Sequence, residues 1–152
     1  GIDKPAYLCG TSILEEQEDK ETYHQINYHT SFEPQRAIRT EGYLYVQYLD
    51  KEWDKYNLSN CDNSPQKSVL VEEGWPDKKR PPELFYDLHF DPQEKNNQID
   101  NEEYNHIIDM MRGKLQHWRE ITEDKLEEVE SYAVDCKINQ KDSIAPSSRK
   151  ES

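Results

Sequence analysis

The hairpin around Glu41-Gly42 constrains this sequence most strongly. Residues 36–40 and 43–49 are both strand-like, and glycine at the second turn position accepts the positive φ of a tight hairpin. In the second run Leu44, Val46 and Tyr48 share one face, and the other face carries Tyr43, Tyr45, Gln47 and Leu49. Because both faces carry large apolar side chains, this run is typical of a central strand that is covered on one side and partly covered on the other.

Two further runs extend the predicted sheet. Residues 22–29 are rich in aromatic side chains and precede a loop at 30–34, where Pro34 disfavours regular structure. Residues 83–88 read as a short buried strand. Between the hairpin and this strand, residues 50–82 form a long polar stretch, and a loop of this length is usually functional or disordered.

An amphipathic helix is predicted to begin near residue 101. Asp100 is a suitable N-cap, and Glu103 can bond back to the backbone of the cap. Apolar residues then recur at helical spacing on one stripe: Tyr104, Ile108, Met111, Leu115 and Trp118. The sequence therefore predicts an α+β fold, a small antiparallel sheet of about four strands packed on one face by a C-terminal amphipathic helix. We expect the face with Tyr43, Tyr45 and Leu49 to be the uncovered one.

Charge and composition limit the partners. Acidic residues outnumber basic ones 32 to 19, and the net charge of −13 excludes a general nucleic-acid binder and disfavours anionic membranes. Leu, Ile, Val and Phe together number only 28 of 152 residues, yet there are ten tyrosines and three tryptophans. This combination indicates a thin core with polar loops, or a piece that leans on another domain, and an uncovered aromatic face could also promote self-association.

The chain divides into three predicted regions. Residues 1–21 form an entry segment, residues 22–135 form the sheet-and-helix domain, and residues 136–152 form a disordered polar tail. Leu126, Val129 and Ala133 could extend a second helical segment within the domain.

The residues themselves offer few chemical motifs. The chain lacks the C-x-x-C, G-x-S-x-G and glycine-rich phosphate-binding motifs. His29 enters the 30–34 loop and is either an exposed or hydrogen-bonded histidine or a substrate contact. Arg36 either pairs with an acid in this acidic chain or holds an anion. Arg36 and Arg39, three residues apart on one strand, should point to opposite faces.

Residues 1–14, 32–46, 83–97 and 115–124 contain motifs that together resemble the C-terminal region of sulfatases. Residues 32–46 are similar to the family's Pro-x-Arg-x-Val/Ile-Arg-Thr-x-x-Tyr-x-Tyr-Ile/Val hairpin. Residues 83–97 resemble Glu-Leu-Tyr-Asp-Leu-x-x-Asp-Pro-x-Glu-x-x-Asn, and residues 115–124 match the closing Leu-x-x-Trp-x-x-x-Thr-x-Asp. Residues 1–14 resemble the approach to this domain, so the likeness covers about residues 1–126. Tyr28-His29 and the Trp-x-x-x-Thr ending look closest to the heparan N-sulfatase (sulfamidase) branch.

The resemblance implies the C-terminal portion of a sulfate-ester or sulfamate hydrolase for sulfated sugars. In that family the catalytic centre lies in a larger N-terminal domain, where a Cys-x-Pro/Ala-x-Arg motif yields formylglycine and acidic and amide side chains hold calcium. Cys9 and Cys61 lack the required following residues. The resemblance therefore implies no catalytic residue and no metal ligand in this chain, which alone should be inactive.

The same resemblance implies partners and candidate binding residues. The partners are the N-terminal catalytic domain of the same protein and a sulfated carbohydrate, and Tyr28, His29 and Arg36 are the residues expected to contact the substrate. The location implied is extracytoplasmic or lysosomal for a eukaryote, and cytoplasmic or periplasmic for a bacterium. The alternative is a non-catalytic binding or assembly module on the same scaffold.

Overall fold

The computed structural model describes residues 5, 7, 14, 21–126 and 141, and it shows an α+β fold. Four antiparallel strands lie side by side in chain order: β1 (Thr22–Tyr28), β2 (Phe32–Arg39), β3 (Tyr43–Tyr48) and β4 (Glu83–Asp87). Two helices accompany them, α1 (Pro65–Glu72) and α2 (Asn105–Ile121). The predicted fold class is confirmed. In the described part of the chain, no helix has the length and apolar character needed to cross a membrane.

Strand β2 begins earlier than predicted, because it includes Pro34. The β1–β2 register shifts between Ile26 and Tyr28, so Ile26 pairs with Gln35 whereas Tyr28 pairs with Phe32. Pro34 therefore lies opposite an irregularity in the ladder, where the N–H that proline lacks is least needed. The predicted loop at 30–34 is wrong for this reason, and the turn itself is confined to residues 29–31.

The hairpin between β2 and β3 forms as predicted, but without the positive φ that we expected at Gly42. Among the described glycines, positive φ occurs at Gly74 and not at Gly42. A Cβ atom at Gly42 would lie 2.3 Å from Nε2 of His89, a distance that requires the imidazole to move. The backbone also makes a close contact here, since the Leu88 N–H donates to the Gly42 carbonyl at 2.8 Å.

Helix α2 covers one face of the sheet. Its predicted stripe is confirmed: Ile108, Met111 and Leu115 are buried in the core, and Tyr104 and Trp118 pack against that core while partly exposed. The predicted cap is wrong by one residue. The Asn101 side chain, rather than Asp100, accepts from the Glu103 N–H at 3.1 Å and caps a 3-10 turn at Glu102–Tyr104, which leads into the α-helix.

The two faces of the sheet are the reverse of what we predicted. Tyr45 is fully buried with Ile38 and Phe85 beneath α2, and Tyr43 stacks on Phe85 with ring centroids 5.6 Å apart. The opposite face, with Leu44 and Val46, is the one that α2 does not cover. It carries a mostly apolar groove of about 260 Å³, whose lining includes His24, Ile26, Ala37, Arg39, Leu44 and Val46. We name this surface the uncovered face.

Residues 50–82 contain regular structure, including a helix that the sequence did not predict. They contain α1, whose first turn is capped by the Ser64 hydroxyl accepting from the Lys67 N–H at 3.2 Å, with proline at the following position. Lys55 and Lys79 form an isolated antiparallel bridge that draws the two ends of the stretch together. Most of the entry segment, most of the tail and the Val129–Ala133 part of the second helical segment lie outside the described residues.

Candidate functional site

The turn between β1 and β2 carries two of the three predicted binding residues. Tyr28 is the last residue of β1 and is half-buried, and His29 follows it with an exposed side chain. The next residue, Thr30, brings its hydroxyl to 3.4 Å from Nδ1 of His29. The turn therefore presents an imidazole toward solvent from a position just past the end of a sheet strand.

A buried polar cluster holds this turn. Oδ1 of Asn60 accepts from two consecutive backbone N–H groups, those of Thr30 at 3.0 Å and Ser31 at 2.9 Å. The hydroxyls of Ser31 and Ser59 lie 2.7 Å apart, and Nδ2 of Asn57 donates to the Ser31 hydroxyl at 2.6 Å. Ser31 and Ser59 are both fully buried. We name Ser31, Asn57, Ser59 and Asn60 the turn cluster.

The turn cluster continues into a buried charged group. Nδ2 of Asn60 donates to Oε2 of Glu33 at 3.2 Å, and Nε of Arg80 lies 3.8 Å from the other carboxylate oxygen. Burial raises the pKa of Glu33 above its ordinary value, although Asn60 and Arg80 act in the opposite direction. The Arg80 guanidinium also stacks on the Tyr48 ring, 3.5 Å from its centroid.

Lys141 lies beside the same charged group. Its ammonium lies 5.4 Å from the centroid of the Phe32 ring and is paired with Asp50. Burial lowers the pKa of Lys141, and the neighbouring Glu33 charge partly offsets this. The beginning of β2 is therefore surrounded by opposite charges, with Glu33 and Asp50 facing Arg80 and Lys141.

Arg36, the third predicted residue, is engaged entirely within the protein. It is fully buried, and its Nε and Nη2 donate to the two carboxylate oxygens of Asp124 at 2.9 and 2.6 Å. Its Nη1 donates to the carbonyls of Ile26 and Gln35 at 3.1 and 2.9 Å. These contacts agree with the first of the two alternatives given for Arg36, an arginine that pairs with an acidic residue. Direct contact of Arg36 with a substrate stays a prediction.

The end of α2 supplies the acid that Arg36 meets. Glu123 has a φ of 50°, the left-handed conformation that ends many helices, and the Asp124 N–H returns to the Arg119 carbonyl at 2.9 Å. Nε of Arg119 also donates to Asp124 at 2.8 Å. Burial alone would raise the pKa of Asp124, but the hydrogen bonds from Arg36 and Arg119 hold it below its ordinary value.

Arg36 and Arg39 occupy opposite faces, as predicted. Arg36 lies beneath the end of α2, whereas Arg39 lies on the uncovered face, half-exposed, with Nη1 donating to Glu94 at 2.9 Å. The three predicted binding residues are therefore divided. Tyr28 and His29 belong to the turn, and Arg36 donates to the Ile26 carbonyl, two residues before Tyr28.

Sequence reasoning missed the turn cluster. Asn57, Leu58 and Ser59 match the Asn-x-Ser pattern of a glycosylation site, but Asn57 is buried and its amide donates to the Ser31 hydroxyl. Asparagine and serine in a polar stretch are ordinary loop residues. Nothing in their local pattern indicates that they meet a turn about thirty residues earlier, as the Asn60–Thr30 separation of 30 shows.

The described side chains of this site can offer hydrogen bonds to a ligand. The partners of the Ser31 and Ser59 hydroxyls are amide and hydroxyl groups, so the cluster places no general base beside them. Within residues 21–126 and the few other described positions, no group of three or more His, Cys, Asp or Glu could hold a metal ion. An exposed imidazole on a fixed turn can donate a hydrogen bond to a ligand oxygen.

Comparison with solved structures finds the same fold within larger chains. A 2-O GAG sulfatase matches with a TM-score of 0.56 and 21% sequence identity, over 84% of this chain and 23% of that one. A candidate sulfatase from Bacteroides thetaiotaomicron matches with a TM-score of 0.58 and 19% identity, over 98% of this chain and 29% of that one. The chain thus spans about a quarter of the solved chains that it matches. No protein-family profile matches it, and no curated protein does so significantly.

Proposed function

We propose that this chain is the C-terminal portion of a sulfatase-type hydrolase, and that its β1–β2 turn forms part of the wall of the substrate pocket. The observation that carries the proposal is the match of nearly the whole chain to one part of solved sulfatases. At 21% and 19% sequence identity, these matches support a shared fold. The sequence segments that resemble sulfatases supply the second, separate support.

The structure gives those segments a physical role. The arginine of the hairpin segment, Arg36, is bonded to the aspartate of the closing segment, Asp124, through two charge-assisted hydrogen bonds. The tryptophan of the closing segment, Trp118, stacks on Tyr23 with ring centroids 5.1 Å apart. The shared residues therefore hold the scaffold together. On this proposal the nucleophile and calcium belong to the larger remaining part of the protein.

The proposed contribution of this chain is to bind and orient the sugar. His29 would donate a hydrogen bond to a sulfate or sugar oxygen, and Tyr28 would lie beside it at the strand end. A fixed contact of this kind would strengthen binding of the sugar about equally before and at the transition state, and it would not react with the sugar. The substrate proposed is an N-sulfated sugar of the heparan type, because Tyr28-His29 and the Trp118-to-Thr122 ending resemble that branch.

The longer protein encoded by the gene provides the test. We expect its upstream segment to encode Cys-x-Pro/Ala-x-Arg and the longer protein to release sulfate from N-sulfated glucosaminides. Residues 1–152 alone should release none. His29→Ala should raise KM about tenfold, the effect of one lost hydrogen bond, with little change in kcat. His106→Ala is the matched control, because His106 is an exposed histidine on α2.

Different results would contradict different parts of the proposal. A reading frame that starts at Gly1, or an upstream segment without the nucleophile motif, would favour the binding or assembly module instead. Release of O-linked but not N-linked sulfate would retain the sulfatase proposal and reject the heparan N-sulfatase assignment.

A further inference from the structure

The Asn60 side chain connects the 50–82 stretch to the turn that carries His29. Its Oδ1 accepts from the Thr30 and Ser31 N–H groups, and its Nδ2 donates to Glu33. Two consecutive N–H groups that converge on one oxygen form a concave site with a preference for negative charge. Here the side-chain amide oxygen of an asparagine from a distant segment fills that site.

A continuous set of contacts runs from Asn60 to the imidazole. Asn60 fixes the Thr30 backbone, and the Thr30 hydroxyl lies 3.4 Å from Nδ1 of His29. The Ser31 side of the turn is fixed by the buried Ser59 hydroxyl and the Asn57 amide. Because both residues that follow His29 are held, the direction in which its ring leaves the turn depends on the 57–60 segment.

We infer that Asn60 is a positioning residue, which sets the β1–β2 turn so that His29 meets the substrate. This inference rests on the proposed function. It gives residues 50–82 a structural role, which is to hold the β1–β2 turn in place. Asn60 does not itself touch the substrate, so its effect should be exerted through His29 alone.

Amide hydrogen exchange in the 152-residue chain tests, without any substrate, whether Asn60 holds the β1–β2 turn. In Asn60→Ala, we expect the Thr30 and Ser31 amides to exchange about tenfold faster, because each loses one hydrogen bond. Exchange at Phe85 and Met111 in the core should not change. The control is Asn63→Ala, since Asn63 is an exposed asparagine three residues further along. Unchanged exchange at Thr30 and Ser31 would overturn the inference.

A second variant covers the case in which Asn60→Ala fails to fold. Asn60→Asp keeps an acceptor oxygen for both N–H groups and places a second carboxyl group beside Glu33. Two carboxylates this close cannot both ionise, so a proton shared between them replaces the amide donor. We expect it to protect the Thr30 and Ser31 amides as the wild type does. Fast exchange at these two amides in a folded Asn60→Asp chain would show that the oxygen is not what holds the turn.

A double-mutant cycle in the longer protein tests whether Asn60 acts through His29. Asn60→Ala should raise KM for the N-sulfated sugar about tenfold with little change in kcat, and Asn60→Asp should restore it. In a His29→Ala background, Asn60→Ala should have no further effect on KM. Additive effects in an active enzyme would overturn the inference, whereas a wild-type enzyme inactive on every sulfated sugar would overturn the proposed function.

Discussion

At the scale of single residues, the buried ion pair of Arg36 and Asp124 carries a large desolvation cost. The side chains are 0% and 4% exposed, so neither charge has appreciable contact with water. Burial of an ion pair is costly unless the geometry is good and the remaining hydrogen-bonding groups are satisfied. Both conditions hold, because Ile26, Gln35 and Arg119 occupy the other positions around the pair.

Removal of the Asp124 charge should destabilise the chain. Asp124→Ala leaves a guanidinium buried without its anion, and we expect a loss of about 3–5 kcal/mol in the free energy of unfolding. Arg39→Ala is the control, because Arg39 forms a half-exposed pair with Glu94 that should be worth less than about 1 kcal/mol. Urea denaturation followed by tryptophan fluorescence measures both. Equal losses in the two variants would show that burial of the pair has no energetic weight.

The same pair predicts the response to acid. The folded-state pKa of Asp124 is lowered, so its contribution to stability is complete above the unfolded value of about 3.9 and is lost as pH falls through the folded value. The wild type should therefore lose Tm between about pH 5 and pH 2 more steeply than Asp124→Asn. Parallel curves of Tm against pH for the two proteins would contradict this.

At the scale of elements, local patterns predicted α2 and the hairpin but not everything around them. The stripe from Tyr104 to Trp118 has a strict helical period, and this period decides which side of the helix is buried. Strand β3 offers no such asymmetry, because both of its faces carry large apolar side chains. Contacts with Ile38 and Phe85 place the Tyr45 face beneath α2, and those contacts are set by strand order and register.

The candidate site shows the same division. The turn that carries His29 could be predicted, because it comes at the end of a strand-like run. The inclusion of Pro34 in β2 could not be predicted, because it depends on a register shift that no local sequence pattern indicates. The turn cluster joins segments 26 to 30 residues apart, and the Arg36–Asp124 pair joins positions 88 residues apart. Hydrogen bonds between distant polar residues depend on the completed fold, so residue types alone cannot specify them.

Gly113 is a local weak point of α2. Glycine in a helix interior costs about 1 kcal/mol relative to alanine, and close packing would be the usual reason to retain it. Here a Cβ atom would meet nothing within 4 Å. We therefore expect Gly113→Ala to raise the free energy of unfolding by about 0.5–1 kcal/mol, measured by urea denaturation. A decrease would contradict the open surroundings of Gly113.

At the scale of the whole molecule, the sheet face that α2 does not cover is partly exposed among residues 21–126. The uncovered face includes Ile26, which is 53% exposed, beside Leu44 and Val46. Contiguous apolar surface of this kind commonly marks an interface. The net charge of −13 opposes self-association at low salt, and added salt screens that repulsion.

We therefore expect the isolated chain to self-associate as salt is raised, through the uncovered face rather than the Tyr43 side. Ile26→Lys should reduce association in sedimentation experiments and reduce binding of a hydrophobic dye, without a fall in Tm. Ile121→Lys is the control, since Ile121 is 65% exposed at the far end of α2. A chain that stays monomeric at every salt concentration, with no dye binding, would mean that the uncovered face is not adhesive.

The long span between Arg36 and Asp124 also has a consequence for the order of events in folding. Strands β2 and β3 are joined by a short turn and can pair early, whereas the ion pair must await the arrival of a segment 88 positions away. Contacts that form after the transition state influence the unfolding rate and leave the folding rate nearly unchanged. The Arg36–Asp124 pair should therefore form after the transition state for folding. Asp124→Asn should increase the unfolding rate and leave the folding rate nearly unchanged.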